Sequence, residues 1–363
     1  ARPLEAMARA ELVVDRLVAT GFIRPSVLWR GLQHSRPSFS HWGVGLLIGL
    51  SGLLVEPLAW LQSLLYAQRL RRVQLPDDPI VIIGHWRSGT TYLHQLLACD
   101  PAVATARNTL TVAPQVALLL QPWIAPLMKV WMTRVRPIDA VPWGPDDPQE
   151  DELGLARLTF DTNMGGMAFP RNYLANFRRH VLETSTAYER QWLTFCRLTW
   201  LHDGAGKSHW LIKNSVHTAR VRLVLKHFPR ARFVLLRRSP VDSIRSLVQV
   251  KQRLGALVGL QPLPDPPTQV EETATAHREL LEAFEASRHL IPAQQLLELD
   301  YDDLISQPLQ AVEGIYTRFG LTSWPVAEAP IKARIDRARS YTADPVQLPP
   351  LAERRLQELM KAS

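Results

Sequence analysis

The sequence predicts an α/β protein with three layers, a central parallel sheet flanked by helices, preceded by a helical N-terminal segment. Short β-forming runs at 80–83, 209–213, 232–236 and 295–299 alternate with helical patterns. That order is expected of a parallel sheet covered on both faces. The run Ile80-Val81-Ile82-Ile83-Gly84-His85-Trp86-Arg87-Ser88-Gly89-Thr90-Thr91 reads as a strand, a tight loop and the start of a helix. Such a helix start offers backbone N–H groups and a dipole that favour an anion.

Residues 1–75 read as helical and end in the basic cluster Arg69, Arg71, Arg72. The turn-rich Pro76-Asp77-Asp78-Pro79 then separates them from a second unit, 76–363. Pro37 to Val55 holds no Asp, Glu, Lys or Arg, and the nearly all-apolar Trp42–Val55 is 14 residues long. That is short of the ~20 residues a transmembrane helix needs. Glu56 and Pro57 interrupt the run, and glycines at 43, 45, 49 and 52 weaken it as a helix in water. A buried or substrate-lining helix is the first expectation, contact with a membrane interface the second and a span the last.

The helix after strand 80–83 runs to about Ala98. Residues 101–148 are rich in proline and tryptophan and predict irregular structure with short helices, a usual place for substrate contacts. A helix is expected to start within Asp147–Glu152 and to run through Leu158. Strand 209–213 leads to a helix from Thr218 to His227, and strand 232–236 to one from Pro240 to about Arg253. A proline-rich linker at 260–268 precedes a helix near 270–288, the strand at 295–299 and a helix at 308–319.

The formal charge of +8 suits an anionic ligand or a membrane surface. It is not gathered into like-charge blocks, and no reading motif accompanies it, which argues against nucleic acid as the main partner. Two cysteines, Cys99 and Cys196, allow at most one disulfide and give no zinc spacing, as expected in a reducing cytoplasm. No cationic stretch followed by an apolar core marks a signal peptide. The chain starts at Ala1, so this says nothing of an upstream segment.

The loop at 84–91 nearly spells the nucleotide-triphosphate loop G-x-x-x-x-G-K-[ST] and makes the expected fold P-loop-like. Thr90 stands where that motif has lysine, and the cation sits inside the loop at Arg87. A nucleotide-dependent kinase also needs a magnesium carboxylate at a neighbouring strand end, whereas strand 232–236 ends in Arg237-Arg238. No metal is therefore expected. Arg238, at a strand end, and Ser246, two helical turns on, suit a second phosphate. Both sites lie at carboxyl ends of parallel strands, which implies two phosphate subsites on one ligand.

Gly84-His85-Trp86-Arg87-Ser88-Gly89-Thr90-Thr91 resembles the 5′-phosphosulfate loop of sulfotransferases that use 3′-phosphoadenosine 5′-phosphosulfate. Arg238 with Ser246 resembles their 3′-phosphate motif. Asp147-Pro-Gln-Glu-Asp-Glu-Leu153, Ile212-Lys-Asn-Ser-Val-His-Thr-Ala-Arg220 and Leu299-Asp-Tyr-Asp-Asp-Leu304 are similar to segments of a bacterial branch of the family. The resemblance covers roughly residues 78–320 in the expected order. Two departures stand out: Lys213-Asn-Ser-Val-His217 lacks the proline common in that branch, and Ser239 replaces a more usual Asp or Asn.

The resemblance implies a sulfotransferase that moves a sulfuryl group to a hydroxyl of a small-molecule or lipid-like acceptor. Donor contacts fall on Arg87, Ser88, Gly89, Thr90, Thr91, Arg238 and Ser246. Arg87 would meet charge on the bridging oxygen, with Lys213 as second cation or acceptor guide. Two residues compete as base. His217 follows Lys213 as a catalytic histidine does in the cytosolic branch, and Glu150 leads the trio Glu150, Asp151, Glu152. Acidic side chains in a first helical turn also simply favour the dipole. His85, His94 and His227 are expected to be structural, and Trp86 to pack on the nucleotide, on the acceptor or in the core. The rival readings are a kinase and a non-catalytic nucleotide-binding or membrane-associated module.

Overall fold

The computed structural model describes residue 16 and residues 20–131, 143–339 and 346–362. Five strands form a parallel sheet: β1 (Ile80–Ile83), β2 (Val103–Thr105), β3 (His209–Lys213), β4 (Arg232–Arg237) and β5 (Leu296–Asp300). Their spatial order is β2-β3-β1-β4-β5. β1 lies at the centre, with Ile82 level with Lys213 of β3 and Ile83 level with Leu235 of β4. The order reverses at β1, which opens a crevice at the carboxyl ends of β1, β3 and β4.

The longer helices are α1 (Pro25–His34), α2 (Trp42–Arg72), α3 (Thr90–Leu97), α4 (Gln121–Trp131), α5 (Thr186–Asp203) and α6 (Val221–His227). They continue with α7 (Pro240–Val258), α8 (Pro266–Arg288), α9 (Pro308–Phe319), α10 (Trp324–Ala338) and α11 (Pro350–Ala362). Successive strand residues point to opposite faces, and the two cores divide accordingly. Val81, Ile83, Ile212, Phe233 and Leu235 pack with Trp192 and Phe195 of α5 and Val224 of α6. Ile80, Ile82, Leu211, Val234 and Leu236 pack with Leu93 and Leu96 of α3, Ile315 of α9 and Ile331 of α10. Both faces of the sheet are thereby covered, as continuous apolar strands require.

Several local expectations are revised. α2 runs unbroken through Glu56 and Pro57, because Glu56 pairs with Arg24 and the proline faces solvent at the cost of one helical bond. Nor is α2 a buried helix: Leu54, Trp60 and Leu64 are 78%, 71% and 77% exposed. The helix expected from Asp147–Glu152 to Leu158 shrinks to Asp151–Leu155, with Glu150 at its N-cap in an extended conformation. A 3₁₀ turn at Ser215–Thr218 precedes α6, so that helix begins at Val221. α7 continues past Arg253 to Val258, and α8 begins at Pro266, whose fixed φ suits a first helical turn. In the 101–148 stretch the described part holds β2, a short helix at Asn108–Thr111 and α4. Residues 132–142 of that stretch lie outside the described residues.

Candidate active site

The loop after β1 is fastened at several points. Gly84 N donates to Thr218 Oγ1 at 2.8 Å, and Ser88 Oγ donates to the His85 carbonyl at 2.7 Å. Gly89 caps α3 at φ +93°, and a Cβ there would lie 2.6 Å from the ring of Tyr301, so glycine is required twice over. Thr90, buried, and Thr91, half-buried, open α3, where first-turn N–H groups have no partner within the helix.

Arg87 takes the left-handed region at φ +69°, which costs a non-glycine residue roughly 1–2 kcal/mol. Contacts among the described residues hold it there. Its Nε donates to Ser246 Oγ at 2.9 Å, and its carbonyl accepts from Arg238 Nη1 at 2.8 Å. The guanidinium of Arg238 also lies over the Tyr301 ring, 4.1 Å from its centroid. A carbonyl and an aromatic face do not neutralise it, so its positive charge remains available to an anion. Ser239 caps α7 through a bond from Asp242 N, and this sets the register that brings buried Ser246 to the loop. The two predicted phosphate motifs therefore meet at one cationic junction.

On the strand next to β1, Lys213 at the end of β3 is buried and donates through Nζ to Glu150 Oε2 at 2.6 Å. Glu150 Oε1 accepts from Ser215 N at 3.0 Å, and the side chain keeps 16% of its surface exposed. Glu152 points elsewhere: it is buried and accepts from Asn163 N and from Asn214 Nδ2. Burial pushes its carboxyl up to about 7. Burial, then the neighbouring Glu150 and Glu152 charges, also push Asp151 well up.

His217 is placed differently from Glu150. The ring is fully buried in the 3₁₀ turn, 5.0 Å from the Trp192 ring, and neither nitrogen has a hydrogen-bond partner among the described residues. Burial first and the Arg220 charge second hold it down at about 3. His85 is also buried, bonded through Nδ1 to the Trp86 carbonyl at 2.7 Å and 4.3 Å from the His277 ring. Trp86 packs with Tyr173, Phe177 and Leu247 in a core cluster. His94 bonds Thr105 Oγ1 at 2.7 Å and His227 bonds Glu189 at 2.6 Å, both structural contacts.

Tyr301, Thr218 and Asn214 support the site but were not singled out from sequence. Tyr301 follows β5 inside the segment Leu299-Asp-Tyr-Asp-Asp-Leu304, whose position at a strand end was the available signal.

An arrangement of helix-terminal amides, two arginines and a lysine–glutamate pair is equipped to bind a doubly anionic ligand beside a carboxylate. The sulfotransferase family model matches residues 79–325. Omega-hydroxy-beta-dihydromenaquinone-9 sulfotransferase Stf3 of Mycobacterium tuberculosis is 25% identical over 311 residues, covering 84% of this chain and 77% of that protein. Stf3 of Mycobacterium bovis matches to the same extent. In fold, the chain is similar to sulfotransferase STF9 of Mycobacterium avium, with TM-score 0.64, 17% identity and coverage of 93% and 94% of the two chains. Sulfotransferase STF1 of Mycobacterium tuberculosis gives TM-score 0.64, 19% identity and coverage of 92% and 90%. With its strand order, its loop and 247 of its residues inside the family model, the chain belongs to the sulfotransferase family.

Proposed function

We propose that this protein transfers the sulfuryl group of 3′-phosphoadenosine 5′-phosphosulfate to a hydroxyl of a lipid-like acceptor. The observation that carries the reading is the junction of Arg87, Ser246 and Arg238, which joins the loop to the second phosphate motif. Arg238 and Ser246 hold the 3′-phosphate. The amides and hydroxyls of Ser88, Gly89, Thr90 and Thr91 hold the 5′-phosphosulfate. Residues 76–363 carry donor binding and transfer, and the helices before residue 75 serve the acceptor side.

In the reaction the acceptor oxygen bonds to sulfur as the bond between sulfur and the bridging oxygen breaks in line. The hydroxyl proton passes to the Glu150 carboxylate, and 3′-phosphoadenosine 5′-phosphate leaves. Arg87, aided by Lys213, meets the charge that grows on the bridging oxygen. Glu150 is preferred over His217 because its carboxylate is partly exposed and paired with Lys213, whereas the imidazole is sealed against Trp192. A base must reach the proton that it removes.

Two findings support an apolar acceptor. The Stf3 relatives are named for a hydroxylated menaquinone. A cavity of about 70 Å³, lined by Val27, Ile48, Leu153, Ala156, Phe160 and Leu260, lies just beyond the helix that Glu150 caps. Titration calorimetry with 3′-phosphoadenosine 5′-phosphate, beside adenosine triphosphate with magnesium, tests the reading. Binding of the bisphosphate is expected. Its failure to bind would sink the proposal, and preference for the triphosphate with magnesium would favour a kinase.

A further inference from the structure

The two sides of α2 differ in kind. Its 31 residues make a rod of about 46 Å at 1.5 Å per residue. One side is built to dock on the protein: Gly45, Ile48, Ser51, Gly52, Ala59 and Gln62 are buried. A Cβ on Gly52 would lie 2.0 Å from the Ile23 carbonyl oxygen, so the backbones touch. Gln62 donates to the Pro114 carbonyl and accepts from Leu118 N and Leu119 N, and Tyr66 donates to the Leu118 carbonyl.

The opposite side exposes Leu46, Leu50, Leu54, Trp60, Leu64 and Leu65, each more than half exposed. The segment clamped by Gln62 leads straight into α4, which buries Ile124 and Met128 and exposes Trp123, Leu127 and Val130. Exposed apolar helix faces of this kind mark an interaction site. Its charges identify the occupant. The single acid of α2, Glu56, is neutralised by Arg24, and the helix ends in exposed Arg69, Arg71 and Arg72. Exposed Lys129 adds to them from α4. An apolar face closed by basic residues complements an anionic lipid surface.

We propose that α2 and α4 form a docking face that lies in the interface of an anionic lipid bilayer. α2 is long and apolar enough to cross a membrane by length and composition alone. Its packed side argues for lying flat, because insertion would strip Gln62, Ser51 and the Glu56–Arg24 pair of their partners. Ile48 of α2 lines the cavity that Leu153 also lines, three residues from Glu150. The inference deepens the lipid-acceptor reading, yet its test is separate from it.

The test is co-sedimentation of the full chain with vesicles of phosphatidylglycerol and phosphatidylcholine, against phosphatidylcholine alone. Binding to the anionic vesicles about tenfold tighter, weakened by salt and reversed by alkaline carbonate, is expected. The double variant Leu54→Glu/Leu64→Glu is expected to lose vesicle binding about tenfold or more while keeping its circular dichroism and its affinity for 3′-phosphoadenosine 5′-phosphate. Brominated lipids are expected to quench the wild-type tryptophan fluorescence, and Trp60→Phe to reduce that quenching.

Wild-type protein that stays in the supernatant would overturn the proposal. So would vesicle binding untouched by the glutamates, resistance to carbonate, which marks a span, or a dimer that the glutamates dissociate, which marks a second copy on this face. Loss of nucleotide binding with vesicle binding intact would count against the sulfuryl-transfer reading and in favour of the docking face.

Discussion

Arg87 Nε donates to Ser246 Oγ across 2.9 Å, which makes the loop after β1 and the helix after β4 a single unit. Arg238 completes it by holding the Arg87 carbonyl, so the left-handed backbone of Arg87 is fixed from both ends. Backbone strain of this kind persists only where its surroundings over-determine it. In the proposed reaction Ser246 both contacts the donor's 3′-phosphate and aims the cation that serves its other end.

Ser246→Ala is accordingly expected to weaken binding of 3′-phosphoadenosine 5′-phosphate about tenfold, the scale of one hydrogen bond to a charged group. Titration calorimetry checks this. An unchanged dissociation constant would separate Ser246 from the donor site.

The Glu150 assignment predicts a split between turnover and binding. Glu150→Gln should lower kcat by about 10²–10⁴-fold with donor affinity within a few-fold of wild type. His217→Ala should instead cost stability, about 2–4 kcal/mol for emptying a buried ring site, and leave kcat per folded molecule nearly unchanged. Steady-state kinetics and urea denaturation on both variants distinguish the roles. The reverse pattern would return the base to His217.

Tyr301 supports Arg238 with its ring face and packs against the position where Gly89 permits no side chain. Tyr301→Leu should weaken donor binding by about five- to thirtyfold, the scale of a desolvated cation–π contact, and Tyr301→Phe should restore most of it. Equal losses in both variants would place the effect on the hydroxyl.

Burial gives Glu152 a prediction in pH. Its carboxyl titrates at about 7 in the folded protein against 4.5 for the ordinary group. A raised folded value contributes stability that is fully present below pH 4.5 and is lost as pH rises through about 7. The shift corresponds to about 3 kcal/mol, net of the two hydrogen bonds that the ionised form accepts. Glu152→Gln should therefore gain stability relative to wild type between pH 5 and pH 8. Urea midpoints for both proteins at the two pH values provide the check, and a pH-independent difference would contradict it.

The strand, loop and helix from Ile80 to Leu97 were legible because four β-formers run directly into a glycine-bracketed turn. The pairing of Arg87 with Ser246 was legible only as two sites for one ligand, since their direct contact depends on the β1–β4 register. β2 escaped notice because three residues are too short to show a period. Sequence left His217 and Glu150 level because the burial that separates them comes from Trp192 on a distant helix. The exposure of α2 was hidden for a related reason. Leucine and tryptophan serve a core and a lipid surface equally well, and only the packing of Gly52 and Gln62 shows which side faces the protein.

The most direct measurement follows labelled sulfuryl from 3′-phosphoadenosine 5′-phosphosulfate into solvent-extractable lipid, comparing wild type with Arg87→Ala at saturating donor. The account predicts incorporation by the wild type and a loss of about 10²–10³-fold in the variant, as for removal of a group that stabilises developing charge. Incorporation by Arg87→Ala at the wild-type rate would contradict it.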